Sequence, residues 1–235
     1  MQRLLAVCIT LCSLTLANTA ATQETAPPVI PVDQSSYHVP SFRNEYLTVL
    51  RVYIPGKRTT DYHTHSHDQL CVVVEDYPPE AYSQPLGGPP GQPRGAARGE
   101  ASFIAYFNKH YTHRALNPGA LPRHSVCTEL VGPKPFGFTA ATRNVPGYTQ
   151  LIDNERMRVW RVILEPGQSV PAITQGAPGM RIVVKGGEIA EVLPDRRERS
   201  MMLGLGEFYW QETGATRALR NIGTTTVELV EFELR

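Results

Sequence analysis

The sequence predicts an all-β chain in which two barrels or sandwiches follow one another. Strand-like apolar runs alternate with Gly- and Pro-bearing turns at short spacing, and the chain carries 19 Gly and 20 Pro without any long helical periodicity. The second half repeats the first, and such self-similarity marks tandem units. At 235 residues and 41% hydrophobic, the chain can fill one large core or two small ones and is too apolar to be wholly disordered.

The N-terminus reads as a targeting segment. Met1–Arg3 carries one positive charge, Leu4–Leu16 is almost wholly apolar, and small residues follow from Ala17 to Ala21. The apolar run is shorter than the roughly 20 residues a bilayer span needs. Residues 1–21 are therefore expected to be a signal peptide cleaved after Ala21, or after Ala17. The mature protein is expected to be exported, to the periplasm or the extracellular space, with no membrane span left. Arg3 leaves with the segment, so 23 Lys and Arg become 22, against 22 Asp and Glu. That balance excludes a nucleic-acid binder driven by charge. Cys8 and Cys12 leave as well. The remaining pair, Cys71 and Cys127, is read as two buried thiols, with one disulfide as the alternative in an exported chain.

The other elements follow in order. Residues 22–37 are Pro- and Thr-rich at first and are expected to form a disordered leader. The first unit spans 38–141 and the second 150–235, joined by a linker, 142–149. Asn44–Val52 matches Asn154–Val162, and each run reaches a Pro-Gly turn, Pro55-Gly56 and Pro166-Gly167. Val72–Val74 matches Ile182–Val184, Phe103–Phe107 matches Phe208–Trp210, and Asn turns at Asn117 and Asn221 lead into the last strands. The offset is 110 residues early and 104 late, so the loops differ. Residues 78–99 are rich in Pro, Gly, Arg and Ala, and read as a long surface loop or lid.

All seven histidines precede residue 125. His63 and His65 stand at i and i+2, which on a strand puts both on one face, where two imidazoles can share an ion. His113, about fifty residues on, would have to come from a neighbouring strand. Three neutral imidazoles with open positions suit Fe, Mn, Ni, Cu or Zn. His67 and His110 fall in turns and read as rim residues.

These residues resemble the cupin superfamily over nearly the whole mature chain. Gly56, His63, His65 and position 69 follow its first motif, and His113 with Asn117 ends its second. The resemblance implies a bicupin, two jelly-roll β-barrels in tandem. It implies a metal site of His63, His65 and His113 for one divalent first-row metal, iron foremost. Gln69 stands where the family has Glu, so it is a fourth ligand or a hydrogen-bonding neighbour offering only an amide. Tyr106, Tyr111, Phe107 and Cys71 are candidates to line the pocket. In the second unit Ile173, Gln175, Gly179 and Arg217 replace the ligand positions, so that unit is expected to be structural. Arg217, with Arg181, would either bind a small anion or pair with an internal acid such as Glu207 or Glu188.

Similarity to three-His cupins implies a dioxygenase using ferrous iron on a small organic substrate. Isomerase or lyase chemistry lies equally within the superfamily's range. A non-catalytic module for a small ligand or for the metal is the alternative, because Asp61 and Asp68 read as loop residues and no catalytic carboxylate stands out. Two inert barrels are a third reading, which the one-sided histidine content disfavours. A homodimer is compatible with this reading.

Overall fold

The computed structural model describes residues 26–235; the expected signal peptide and its two cysteines lie outside them. In the first unit the strands are β1 (Val29–Pro31), β2 (His38–Arg43), β3 (Leu47–Ile54), β4 (Arg58–Thr59), β5 (Tyr62–His65), β6 (Asp68–Glu75), β7 (Tyr82–Pro85), β8 (Ala101–Ile104), β9 (Tyr111–Asn117) and β10 (Arg123–Leu130). In the second they are β11 (Tyr148–Asp153), β12 (Met157–Leu164), β13 (Ser169–Thr174), β14 (Gly179–Lys185), β15 (Gly187–Val192), β16 (Glu198–Leu203), β17 (Phe208–Gln211), β18 (Thr216–Asn221) and β19 (Val227–Leu234).

Each unit is a two-sheet β-barrel. The first has sheets ordered β2-β3-β10-β6-β8 and β1-β5-β9-β4, with β7 also pairing β9. The second has β11-β12-β19-β14-β17 and β13-β18-β15-β16. The repeat holds down to single hydrogen bonds. Asn44 Oδ1 accepts from the N–H groups of Tyr46 and Leu47, as Asn154 Oδ1 does from Arg156 and Met157. Asn117 Nδ2 donates to the carbonyls of Ile54 and Leu121, and Asn221 Nδ2 to those of Leu164 and Thr225. Thr64 and Thr112 pair their hydroxyls at 2.8 Å, and Thr174 and Thr216 at 2.7 Å.

The runs Val72–Val74 and Ile182–Val184 are apolar at every position because both faces of their sheets are covered. One face fills its own barrel, with Leu50, Val52 and Ile54 in the first and Val162, Val183 and Leu229 in the second. The other face packs barrel on barrel. Leu47, Val49, Leu70, Val72 and Val74 meet Met157, Val159, Met180, Ile182 and Val184 in the largest core cluster. Tyr46 stacks on Trp210 across this seam, with ring centroids 6.0 Å apart. Asp68 Oδ2 meets Arg156 Nε at 3.2 Å, both side chains buried. Asp68 is thus a strand residue joining the barrels, not the loop residue its turn-like neighbours suggested.

Three segments read as irregular are built into the barrels. The expected leader is ordered from β1 onward. Val29, Ile30 and Pro31 pair in parallel with Tyr62, His63 and Thr64, and Val32 is buried against the first core. The outer edge of β5 needs a partner, and a three-residue apolar strand is enough to supply it. Residues 78–99 carry β7, which lies on β9 with Ser83 opposite Ala115 and Pro85 opposite His113. Their turns are tied by backbone bonds from Tyr77 to Ala96, from Arg94 to Ala81 and from Gly91 to Ser83. The expected linker sends Arg143 into the second barrel, where the side chain is buried among Glu231, Glu233 and Gln175.

Candidate metal centre

On β5 the burial alternates, so His63 and His65 both point inward. Strand β9 runs antiparallel beside it and sets His113 directly opposite His63. The three imidazoles converge, each offering a nitrogen within 4.8 Å of the others. Nε2 of His65 and Nε2 of His113 lie 3.1 Å apart. Two nitrogens about 2.1 Å from one ion at right angles would be about 3.0 Å apart. Nε2 of His63 is buried without any hydrogen-bond partner. An orphaned buried nitrogen beside two nitrogens at this spacing fits a metal ion better than an apolar core.

The rear nitrogens of His63 and His65 are held, while Nδ1 of His113 is buried without a partner. Nδ1 of His63 donates to the Asp61 carbonyl at 2.9 Å, with Ser35 Oγ 3.1 Å away, which leaves the Nε2 lone pair free. Nδ1 of His65 faces Glu129 Oε1 at 3.0 Å, both side chains buried. Burial drives His63 down to about 4. Burial, then repulsion from His63 and His65, drives His113 down to about 2. Both rings are neutral near neutral pH, the form that binds metal.

The triad opens on a cavity of about 600 Å³, within the usual range for a small-ligand site. Tyr106 and Tyr111 line it. Tyr106 stacks on His65 at 4.9 Å and on Tyr111 at 5.9 Å, and burial pushes its hydroxyl up to about 12. Residues from Tyr77 to Ala96, most of them in the Pro/Gly-rich insertion, form one wall of it.

The remaining candidates fall in different places. Cys71 lines the cavity, but joined to Cys127 in a disulfide rather than as a thiol. The two sit in direct register on β6 and β10, so the disulfide, the alternative the sequence left open, is the pairing found. Gln69 also lines the cavity, with its amide nitrogen 3.3 Å from Nδ1 of His65, behind that ring rather than at its metal-facing edge. Phe107 is exposed, its N–H donating to Asp68. His110 is exposed at its turn, and His67 is half-buried in a separate small pocket.

Arg217 does not reach the cavity. It stands opposite Ile173 in the second barrel, as His113 stands opposite His63, with Nε 3.5 Å from Glu191 Oε1. The internal partner is thus Glu191, while Glu207 binds Tyr209 and the Gly204 N–H. Arg181 is held by Glu231 at 2.7 Å and Glu191 at 2.8 Å. Arg143 reaches Gln175, the counterpart of His65, at 2.8 Å. Three guanidiniums and three carboxylates therefore occupy the second barrel in place of an anion pocket.

Three residues went unnoticed in the sequence. Ser35 lay in the supposed leader. His38 lines the cavity with its ring 4.6 Å from His63, and burial, then His63, holds it down to about 3. Glu129 had one signal, a carboxylate inside the strand Val126–Leu130.

No protein-family model and no curated protein sequence matches this chain. Solved structures do. AerE from Microcystis aeruginosa matches with a TM-score of 0.57 at 11% identity, over 84% of this chain and 97% of its own. A salicylate 1,2-dioxygenase from Pseudoaminobacter salicylatoxidans in complex with gentisate matches at 0.54 and 14%, over 80% and 68%. A cupin 2 conserved barrel domain protein from Leptotrichia buccalis matches at 0.50 and 7%, over 86% and 88%. These likenesses concern the fold, and with the strand order they make it an all-β pair of cupin-type jelly-roll barrels in tandem.

Proposed function

We propose that this chain is a bicupin whose first barrel binds one divalent first-row metal through His63, His65 and His113. We propose further that it is an iron-dependent dioxygenase acting on a small organic substrate. The observation that carries the reading is the convergence of three imidazoles, one with an unpartnered buried Nε2, at a cavity of small-molecule size. Bound ferrous iron would supply Lewis acidity and dioxygen activation. The chain's own part is positional. Asp61 and Glu129 fix the tautomers of His63 and His65, Tyr106 packs against the back of the site, and the Tyr77–Ala96 wall limits water. The salicylate dioxygenase among the similar folds is consistent with this chemistry without fixing it.

Export belongs to the same proposal. The Cys71–Cys127 disulfide supports it, since such bonds persist in oxidising compartments. Among the described residues no helix is long and apolar enough to cross a membrane.

Metal content by mass spectrometry of the untagged protein, beside His113→Ala, tests the reading. One equivalent of iron, lost in the variant, together with oxygen uptake on a substrate screen, is the expected result. One equivalent of another metal without oxygen uptake would favour the binding module. No metal after anaerobic reconstitution would overturn the proposal.

A further inference from the structure

One guanidinium in the cavity wall has no carboxylate. Arg123 begins β10 and lines the cavity with Ser125 and Cys127, alternate residues on the inward face. The Tyr77 ring lies under its guanidinium at 4.8 Å, and the Tyr82 carbonyl accepts from Nη1 at 3.4 Å. Its Nε is buried and has no hydrogen-bond partner. The acids nearby in the fold are engaged elsewhere: Glu100 with Arg94 at 2.6 Å, Glu75 with His124 at 2.8 Å, and Glu129 with His65 at 3.0 Å.

The repeat shows that the barrel does not need a cation there. Arg123 stands opposite Ile54, and the matching pair in the second barrel is Val227 opposite Leu164, both packed in its core. In that barrel every buried guanidinium has its carboxylate, as a desolvated charge requires. In the first barrel an arginine replaces an apolar residue, faces the cavity and is left unpaired. Its charge is felt at His38 and His113, where it adds to the larger effects of burial and the neighbouring histidines.

We propose that Arg123 anchors the carboxylate of a small organic acid whose other end lies at the three histidines. The inference rests on the metal-centre reading and names the substrate class for that site. A guanidinium presents a planar fork that matches a carboxylate with two parallel hydrogen bonds. A single cation suits a monoanion. A phosphate dianion would want a second cation, and Arg94, the other guanidinium on the wall, is committed to Glu100.

Titration calorimetry on the metal-loaded full chain tests this with benzoate and butyrate against their neutral twins, benzamide and butyramide. The acids should bind roughly ten- to a hundredfold more tightly than the amides. Arg123→Met should abolish that preference while metal content is unchanged, and Arg123→Lys should restore part of it. Equal binding of acids and amides would overturn the assignment. So would acid binding undiminished in Arg123→Met, or no acid binding at about 10 mM. If Arg123→Met does not fold, the acid–amide comparison and Arg123→Lys still decide. The two readings separate cleanly. A protein that takes up no metal yet prefers acids through Arg123 keeps the anchor and loses the metal centre. One that takes up metal with no acid preference does the reverse.

Discussion

Glu129 presses its carboxylate against Nδ1 of His65 and so aims Nε2 at the cavity. Such partners typically govern metal affinity by about 10–100-fold. Glu129→Gln should therefore bind metal that much more weakly in a chelator competition, while still reaching one equivalent at saturation. Unchanged affinity would make Glu129 a packing residue only. The three histidines were legible because an i, i+2 pair and a third imidazole on the next strand need only strand geometry. Glu129 was not, because its meaning depends on β10 lying beside β6, with Glu129 opposite Gln69. Partner choice in the second barrel was hidden for the same reason, and Arg217 found Glu191 rather than a nearer acid in sequence.

Among the elements, the long strands were plain from their apolar runs, and the repeat gave their order. Strand β1 escaped because three residues are too few to show alternation. Strand β7 escaped because Tyr82–Pro85 is largely polar and lies in a Pro/Gly-rich stretch. Both complete the sheet that carries the triad. Strands β6 and β10 are also locked by the disulfide, which closes a loop of 56 residues. In the chain-entropy model such a crosslink is worth about 4 kcal/mol. The double variant Cys71→Ser, Cys127→Ser should lose about that much in urea unfolding and should also match the reduced wild type. No loss would place the crosslink's effect in the folded state's strain rather than the chain's entropy.

At the scale of the molecule, the second barrel carries paired buried charges inside where the first carries three converging imidazoles. Burial pushes the Glu231 carboxyl up, but Arg181 and Arg143 outweigh it and hold it at about 2, below its ordinary 4.5. A carboxylate with a depressed folded value stabilises fully above its unfolded value and stops doing so as pH falls through the folded one. Stability should therefore decline between about pH 4.5 and 2. The urea midpoint should fall through that window in the wild type. Glu231→Gln should start lower, with two arginines short of a partner, and decline less steeply. Parallel curves would show that other groups govern the acid limb.

The seam between the barrels is built from matching positions in the two copies: Leu47 with Met157, Val49 with Val159, Leu70 with Met180, Val72 with Ile182. A patch that meets its own equivalent is the signature of a two-fold dimer. Here the two patches belong to one polypeptide, which releases the halves from identity. In a true homodimer any loss at a ligand position would strike both sites at once. Within one chain, one copy can carry Ile173, Gln175 and Arg217 where the other carries its three imidazoles, provided it presents the sheet face its neighbour buries.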